Sequence, residues 1–430
     1  VGPVDTPQLY RVHDIIKYNG ELIIGGEFDS ARIGIDRVAA LRNGYWEEMG
    51  GGIGHYRPII AWETGVHLLE QVNGTLIAGG YFFDLFKMAY LLRWDGNDWV
   101  QFSDSAGGGY GVNSSTWYQG ELYLGGEVGF GSSPWLEEGS VARWDGTHLY
   151  LPGRSLGYRT DIEGSGVHAL TANEEHLYAG GTFDFLRMPY DPNPHHVAYW
   201  NGHKWDSLPE RLNDKVESMA WFQGELFVGG VFTQAGVQSV GKLIKWNGSE
   251  WTEPAGAHFM GTVPTMAVYD RKLYAYAWAK LANGDTLGPG ILSYDGNKWK
   301  LAADVSSVYK LRVVDSTLYA VGTFTSINGV RVNSVASYRS PTVSIEDDNP
   351  SFVVKNYPNP IKDQLIVEIP KAFLRQPARL KLLDIRGANL YAQAISETKS
   401  SHKLSFLPSG TYILDVHCPP YSYRSLIYKL

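Results

Sequence analysis

Apolar residues fall in short runs along the first three quarters of the chain, and one run recurs. It reads LIIGGEF from Leu22, LIAGGYF from Leu76, LYLGGEV from Leu122 and LYAGGTF from Leu177. It continues as LFVGGVF from Leu226, LYAYAWA from Leu273 and LYAVGTF from Leu318, in steps of 54, 46, 55, 49, 47 and 45 residues. A valine stands ten residues before each leucine: Val12, Val66, Val112, Val167, Val216, Val263 and Val308. The constant offset makes valine-to-leucine a rigid module. A second phrase follows, W-[D/N]-G-x-x-W or a relative, at Trp94–Trp99, Trp200–Trp205, Trp246–Trp251 and Tyr294–Trp299. Asp-Gly and Asn-Gly favour two-residue hairpins, because both central residues take positive φ. Each unit therefore predicts four short antiparallel strands per roughly 45–50 residues, the size of one propeller blade. Seven units predict an all-β, seven-bladed β-propeller over residues 1–340. The seventh unit stops at Val335–Tyr338 without an outer strand, and Val1–Tyr10 is expected to supply it and close the ring.

The pattern changes after Ser340. Residues 341–352 are polar and acidic, with prolines, and read as a linker. Strands are expected at about Gln364–Ile369, Ala378–Asp384, Asn389–Ala394, Lys403–Phe406, Thr411–His417 and Arg424–Lys429. That many short strands in residues 353–430 predict a small immunoglobulin-like β-sandwich.

Composition narrows the function. The 430 residues are 44% hydrophobic, 13% aromatic and 19% charged, which excludes a disordered chain. Lys+Arg 37 against Asp+Glu 45 gives a net charge of −8. A generic nucleic-acid binder needs a basic surface, so nucleic acid is not an expected partner. The single cysteine, Cys418, excludes an intrachain disulfide and a cysteine zinc cluster. No apolar run reaches the ~18–20 residues of a transmembrane helix. The start at Val1, without Met or a basic n-region, fits a leader already removed.

The paired glycines and following Trp resemble kelch-type and galactose-oxidase-type propeller repeats. The nearer likeness is to secreted bacterial repeat proteins of the form GGxF…VAxWDGxxW. A more specific resemblance covers about 75 residues of the tail. Tyr357-Pro358-Asn359-Pro360 with Asp363, then Leu382–Gly387, then Leu404–Leu407 with Gly410 and Tyr412, then Leu426–Leu430 with Lys429, occur in order. Together they resemble the type A C-terminal sorting domain of type IX secretion cargo. The resemblance implies a partner, the type IX translocon with its outer-membrane shuttle. It also implies a location, the cell surface or the outside, and in many relatives the tail is cleaved after export. His417-Cys418-Pro419-Pro420 departs from the family pattern and leaves the last strand pairing open.

Strand order separates two faces of the predicted disk. Tight turns at Asn19-Gly20, Asn73-Gly74, Gln119-Gly120, Gln223-Gly224 and Asp95-Gly96 fall on one side. All the variation in length falls on the other, and variable loops on a rigid scaffold carry binding. That face offers Tyr56, Trp62, Tyr110, Trp135, Tyr158, Tyr190 and His258 for stacking on a glycan or a surface protein; loop-filling is the competing role. The residue after each module valine gives a second candidate site: His13, His67, Asn113, His168, Glu217, Pro264 and Tyr309. The constant offset places these at one level near the axis. Imidazole and carboxylate ligate transition metals, but no spacing fixes two ligands together, so a solvated polar ring is the first reading. No catalytic residue, metal or cofactor is assigned. Nucleophile-elbow, phosphate-loop and EF-hand motifs are lacking. Asp-Ser at Ser105 resembles a bacterial O-glycosylation signal. The expected function is binding through the loop face. The alternatives are an extracellular lyase or hydrolase using the axial residues, and a passive surface-layer component.

Overall fold

The computed structural model describes residues 11–28, 35–53, 65–84, 87–102, 109–129, 138–144, 148–152, 156–157, 166–185, 195–254, 256–340, 354–357, 361–369, 378–384, 389–418 and 421–429. Every regular element among them is a β-strand. The chain divides into two compact units, Val1–Ser340 and Pro341–Leu430.

In the first unit, the strands of each main sheet pair antiparallel in sequence order, and Leu156–Gly157 and Ala257–Phe259 are added to the far ends of Leu177–Phe185 and Lys272–Leu281. The first sheet runs Val12–Tyr18, Glu21–Gly26, Val38–Arg42, Tyr45–Glu48. Sheets of the same plan start with innermost strands Gly65–Val72, Gly109–Tyr118, Gly166–Ala172, Val216–Phe222, Met266–Tyr269 and Val308–Val314. Each innermost strand packs on the next, and Val308–Val314 packs back on Val12–Tyr18. The seam between the seventh sheet and the first is a continuous apolar cluster of Val12, Ile15, Ile24, Phe28, Ile35, Ala39 and Val321. The seventh sheet has three strands, ending with Val335–Tyr338. The segment expected to complete it, residues 1–10, lies outside the described residues.

Two local devices explain the constant offset. The first is the turn. Asn19-Gly20, Asn73-Gly74, Gln119-Gly120 and Gln223-Gly224 have positive φ at both positions, as the two-residue hairpin requires. The second is a β-bulge. The register slips by one residue at His13, His67, Asn113, His168, Glu217 and Tyr309, so each is the extra residue of its innermost strand. The paired glycines serve these devices. A Cβ on Gly25 would stand 2.4 Å from Val66 Cγ1, and one on Gly180 would stand 2.5 Å from Val216 Cγ1. The first glycine thus admits the module valine of the next sheet. A Cβ on the second glycine would strike the carbonyl just before the bulge, at 2.3 Å for Gly26 and 2.0 Å for Gly181. The phenylalanines after the glycines, Phe28, Phe183, Phe232 and Phe324, are buried plugs, each contributing about 1.5–3 kcal/mol of burial.

Two expectations are corrected. The W-[D/N]-G-x-x-W phrase does not form a two-residue hairpin. Trp94 pairs with Trp99 across a four-residue loop, in which Asp95 Oδ1 accepts the Asn97 and Asp98 amides. Asn201, Asn247 and Asp295 do the same. Capping by a short polar side chain replaces positive φ at that residue, and only the glycine keeps it, Gly96 at φ +107°. In the sixth sheet the innermost strand starts only at Met266, past Val263. Pro264 has no N–H to give the ladder.

The second unit holds two sheets over one core. Lys355–Tyr357, Gln364–Glu368 and Lys399–Lys403 form one, and Asn389–Ile395, Ala378–Leu383, Gly410–Cys418 and Tyr421–Lys429 form the other, in those orders. Leu365, Val367, Leu380, Leu382, Leu414, Val416 and Ile427 fill the space between them. The strand expected at Lys403–Phe406 lies earlier, at Lys399–Lys403. Leu404 to Leu407 turns instead, with the Leu407 amide bonded to Leu404 O, and both leucines plug the core. The last two strands pair without a break from Gly410–Lys429 to Cys418–Tyr421. This settles the pairing left open by the Cys-Pro-Pro segment.

Candidate functional site

The bulges decide where the axial residues point. A bulge re-aims one side chain out of the pleat, and here it does so at the same level in successive sheets. His67 of the second sheet has its ring 4.7 Å from that of His13, and its Nδ1 lies 3.2 Å from Asn113 Oδ1 of the third. Tyr309 of the seventh sheet stacks on His13 at 5.1 Å and 12°. Four of the predicted ring residues therefore touch in a row across four sheets.

A fifth residue joins them that sequence reasoning missed. Glu27 follows the glycine pair of the first sheet, with its amide bonded to Arg11 O. Its Oε1 lies 2.9 Å from His13 Nε2 and 4.0 Å from His67 Nε2, and its Oε2 accepts from Arg11 at 2.7 Å. A Cβ on Gly65 would stand 2.7 Å from Glu27 Cγ, so the absent side chain there makes room for this carboxylate. Burial works against the Glu27 charge, but the hydrogen bond and charge of His13, with Arg11 beyond them, hold its carboxyl down at about 2. Burial and the charge of His13 push the His67 imidazole down to about 4, against the Asn113 hydrogen bond. At neutral pH the pair is a carboxylate beside a neutral imidazole. Ligating atoms of His13, Glu27 and His67 lie within 4.8 Å of one another, close enough to share one ion.

One residue along the first strand, a charged cluster ties the same sheets together. Asp14 is fully buried; its Oδ2 accepts from the Leu69 amide at 2.8 Å, Lys310 Nζ at 2.9 Å and Arg312 at 2.8 Å. Arg312 also reaches Leu69 O and Glu70, and Glu70 accepts from Ser115. Burial opposes the Asp14 charge, yet Arg312 and Lys310 hold its carboxyl below the ordinary value.

The other candidates are not drawn into this row by the contacts found. Glu217 pairs with Lys215 at 3.1 Å. His168 occupies the bulge of the fourth sheet. Of the loop-face residues, Tyr56, Trp62, Trp135, Tyr158 and Tyr190 lie outside the described residues, as does Ser105. Tyr110 and His258 are strand residues, not loop residues. Tyr110 lies in Gly109–Tyr118, which a second register shift carries on to Val128, and His258 lies in Ala257–Phe259, which pairs with the far end of Lys272–Leu281. His258 is exposed, 2.8 Å from Glu253 Oε1.

In the second unit, Tyr357 ends its strand with its hydroxyl donating to Glu368. Asp363 O accepts from the Leu404 amide, and Lys429 Nζ donates to Lys362 O. The buried Tyr412 hydroxyl donates to Pro408 O at 2.7 Å, bridging the turn before Gly410. Pro358, Asn359, Pro360 and Gly387 lie outside the described residues. Residues 355–423 match the family described as the secretion system C-terminal sorting domain. The tail is a type IX secretion address. It marks the chain for export to the cell surface or beyond it.

No characterised protein matches the chain by sequence. Among solved structures it is similar to PorZ, a surface component of the type IX secretion system of Porphyromonas gingivalis, at 15% identity and TM-score 0.32. That match covers 95% of this chain and 64% of PorZ, so the chain spans less than two thirds of that protein. It is similar to the extracellular domain of a two-component system of B. thetaiotaomicron, at 9% identity and TM-score 0.30, over 97% of this chain and 68% of that one. It is also similar to a Bacteroides ovatus xyloglucan-locus GH43 protein, at 9% identity and TM-score 0.29, over 99% and 91%.

Proposed function

We propose that this chain is a type IX cargo whose residues 1–340 form a seven-bladed propeller that binds a glycan or a surface protein through its loop face. Residues 341–352 link it to an immunoglobulin-like sandwich, residues 353–430, which the translocon and its outer-membrane shuttle read. The sorting-domain match over 355–423 carries the export reading. The innermost strands that follow one another and return to the first support the propeller, and the second unit's two sheets over one core support the sandwich. Antiparallel pairing in sequence order sends the variable connections to one end of the sheets, where a rigid frame would present them.

The test is fractionation of cells producing the full chain or a chain ending at Ser340. The full chain is expected at the surface or in the medium, and the shortened chain is expected to stay in the periplasm. Equal surface delivery of both would overturn the export reading. Binding is tested on immobilised surface glycans with Tyr56→Ala and Trp135→Ala, which are expected to lose retention. A second reading, a carbohydrate-active enzyme, is favoured by the meeting of His13, Glu27 and His67. Polysaccharide cleavage that His67→Ala abolishes would select it.

A further inference from the structure

We propose that His13, Glu27 and His67 bind one divalent transition-metal ion of the zinc class. The site is independent of export and of what the loop face binds. Two imidazole nitrogens and one carboxylate oxygen are the donor set of open zinc sites, which keep a fourth position for water or a ligand. The donors come from two innermost strands and from the residue just past Glu21–Gly26, in two neighbouring sheets. The two histidines sit on bulges that aim them at each other, and Glu27 lies beside both. Ligands of a tetrahedral zinc stand roughly 3.3–3.5 Å apart. The widest separation, within 4.8 Å, closes onto an ion by a movement of about 1 Å.

The surrounding contacts hold His67 in a ligating form, while His13 Nε2 donates to Glu27 Oε1 and gives that proton up when an ion binds. The Asn113 amide oxygen can only accept, so the His67 proton sits on Nδ1 and the lone pair on Nε2. That Nε2 is buried and has no hydrogen-bond partner, with Glu27 Oε1 4.0 Å away. A buried nitrogen left without a partner is rare and costly, and an ion shared with Glu27 would satisfy it. A bonded outer nitrogen is the usual support of a metal-bound histidine. Tyr309 fixes the His13 plane by stacking, and Arg11 occupies the other Glu27 oxygen. The three side chains keep 21%, 17% and 28% of their surface exposed, so an ion can enter. The Glu217 carboxylate, on the bulge of the fifth sheet, pairs with a lysine instead.

The full chain, stripped with a chelator and dialysed, is titrated with Zn2+ and read by elemental analysis and by dye competition. One zinc per chain is expected for the wild type. Glu27→Gln and His67→Ala are expected to lose it, with at least a 100-fold weaker Kd. Asn113→Ala is expected to weaken binding about 10–100-fold, the usual cost of an outer-shell partner. His176→Ala, which removes a partly buried histidine 3.9 Å from Glu175 and remote from the three donors in sequence, is expected to bind as the wild type does. Circular dichroism in chelator shows that each variant folds; if His67→Ala does not, Glu27→Gln decides. No stoichiometric zinc in the wild type, or binding of unchanged strength in Glu27→Gln, overturns the site.

Discussion

Neighbouring sheets of the first unit are bridged at three junctions from one position of the repeat, with different chemistry at different junctions. On the plain side, at the fifth and sixth sheets, the second residue after the module valine is a hydroxyl. Ser218 donates to Val263 O of the next sheet at 2.6 Å, and Thr265 Oγ1 accepts the Leu311 amide at 2.8 Å. On the other side the same position is Asp14, which accepts the Leu69 amide at 2.8 Å, and the seventh sheet brings Lys310 and Arg312 onto it. A carboxylate does the work of a hydroxyl at the cost of two compensating cations. The difference teaches that the repeat supplies a frame that small neutral residues satisfy. The charged departure from it lies where the seventh, first and second sheets meet, one residue along from His13.

The charged seam should therefore be the most sensitive point of the frame. Asp14→Thr keeps a bridging hydroxyl but takes the shared carboxylate from Lys310 and Arg312, leaving Arg312 with Leu69 O and Glu70. It should lose about 3–5 kcal/mol in urea unfolding, the usual cost of breaking a buried pair. Copying the plain side with Asp14→Thr, Lys310→Ala and Arg312→Ala together should recover most of that loss. No recovery would mean that the charges do more than compensate one another. Next come the glycines that admit the neighbouring valine. Gly229→Ala on the plain side would place a Cβ 2.8 Å from Val263 Cβ, and Gly25→Ala would place one 2.4 Å from Val66 Cγ1. Both should cost about 1–3 kcal/mol by overpacking, and a large cost at only one would break the idea of a shared frame. Gly20→Ala meets no atom but keeps φ at +87°. It should lose only the roughly 1–2 kcal/mol of a left-handed residue.

The smallest effect contrasts the two units through pH. His402 of the second unit is buried against Tyr391, Gln393 and Ser400, and burial pushes its imidazole below the ordinary 6.5. The unfolded chain then takes up a proton that the native unit refuses. Stability present above pH 6.5 should fall as pH drops through that value towards the lowered native pKa. Hydrogen exchange along Lys399–Lys403 in the full chain should quicken accordingly, and His402→Gln should remove the part of that pH dependence that is due to this proton. An unchanged slope in the variant would contradict the assignment.

The frame was readable because each device repeats. A fixed valine-to-leucine offset is met by a constant turn and a constant bulge, and both are found at Val12–Leu22, Val66–Leu76, Val112–Leu122, Val216–Leu226 and Val308–Leu318. The axial row was readable for the same reason. Glu27 was not, because its position holds Tyr81, Glu127, Thr182, Val231, Trp278 and Thr323 in the other repeats. Only the register, which sets Glu27 beside the bulge, brings it to His13. Asp14 is not legible as a partner of Lys310 and Arg312 because they lie almost 300 residues from it and meet it only where Val308–Val314 packs on Val12–Tyr18. The Asp-Gly turn was misread because Asp95 caps with its side chain instead of taking positive φ, a choice its dipeptide alone does not reveal.

An experimental density map of the zinc-loaded full chain tests the central claim most directly. The account predicts seven sheets around one axis, Arg312 on Asp14 across the closing seam, and one ion held by His13, Glu27 and His67. A different number of sheets, or Val308–Val314 away from Val12–Tyr18, would contradict the frame; density for an ion elsewhere and none at these three residues would contradict the site.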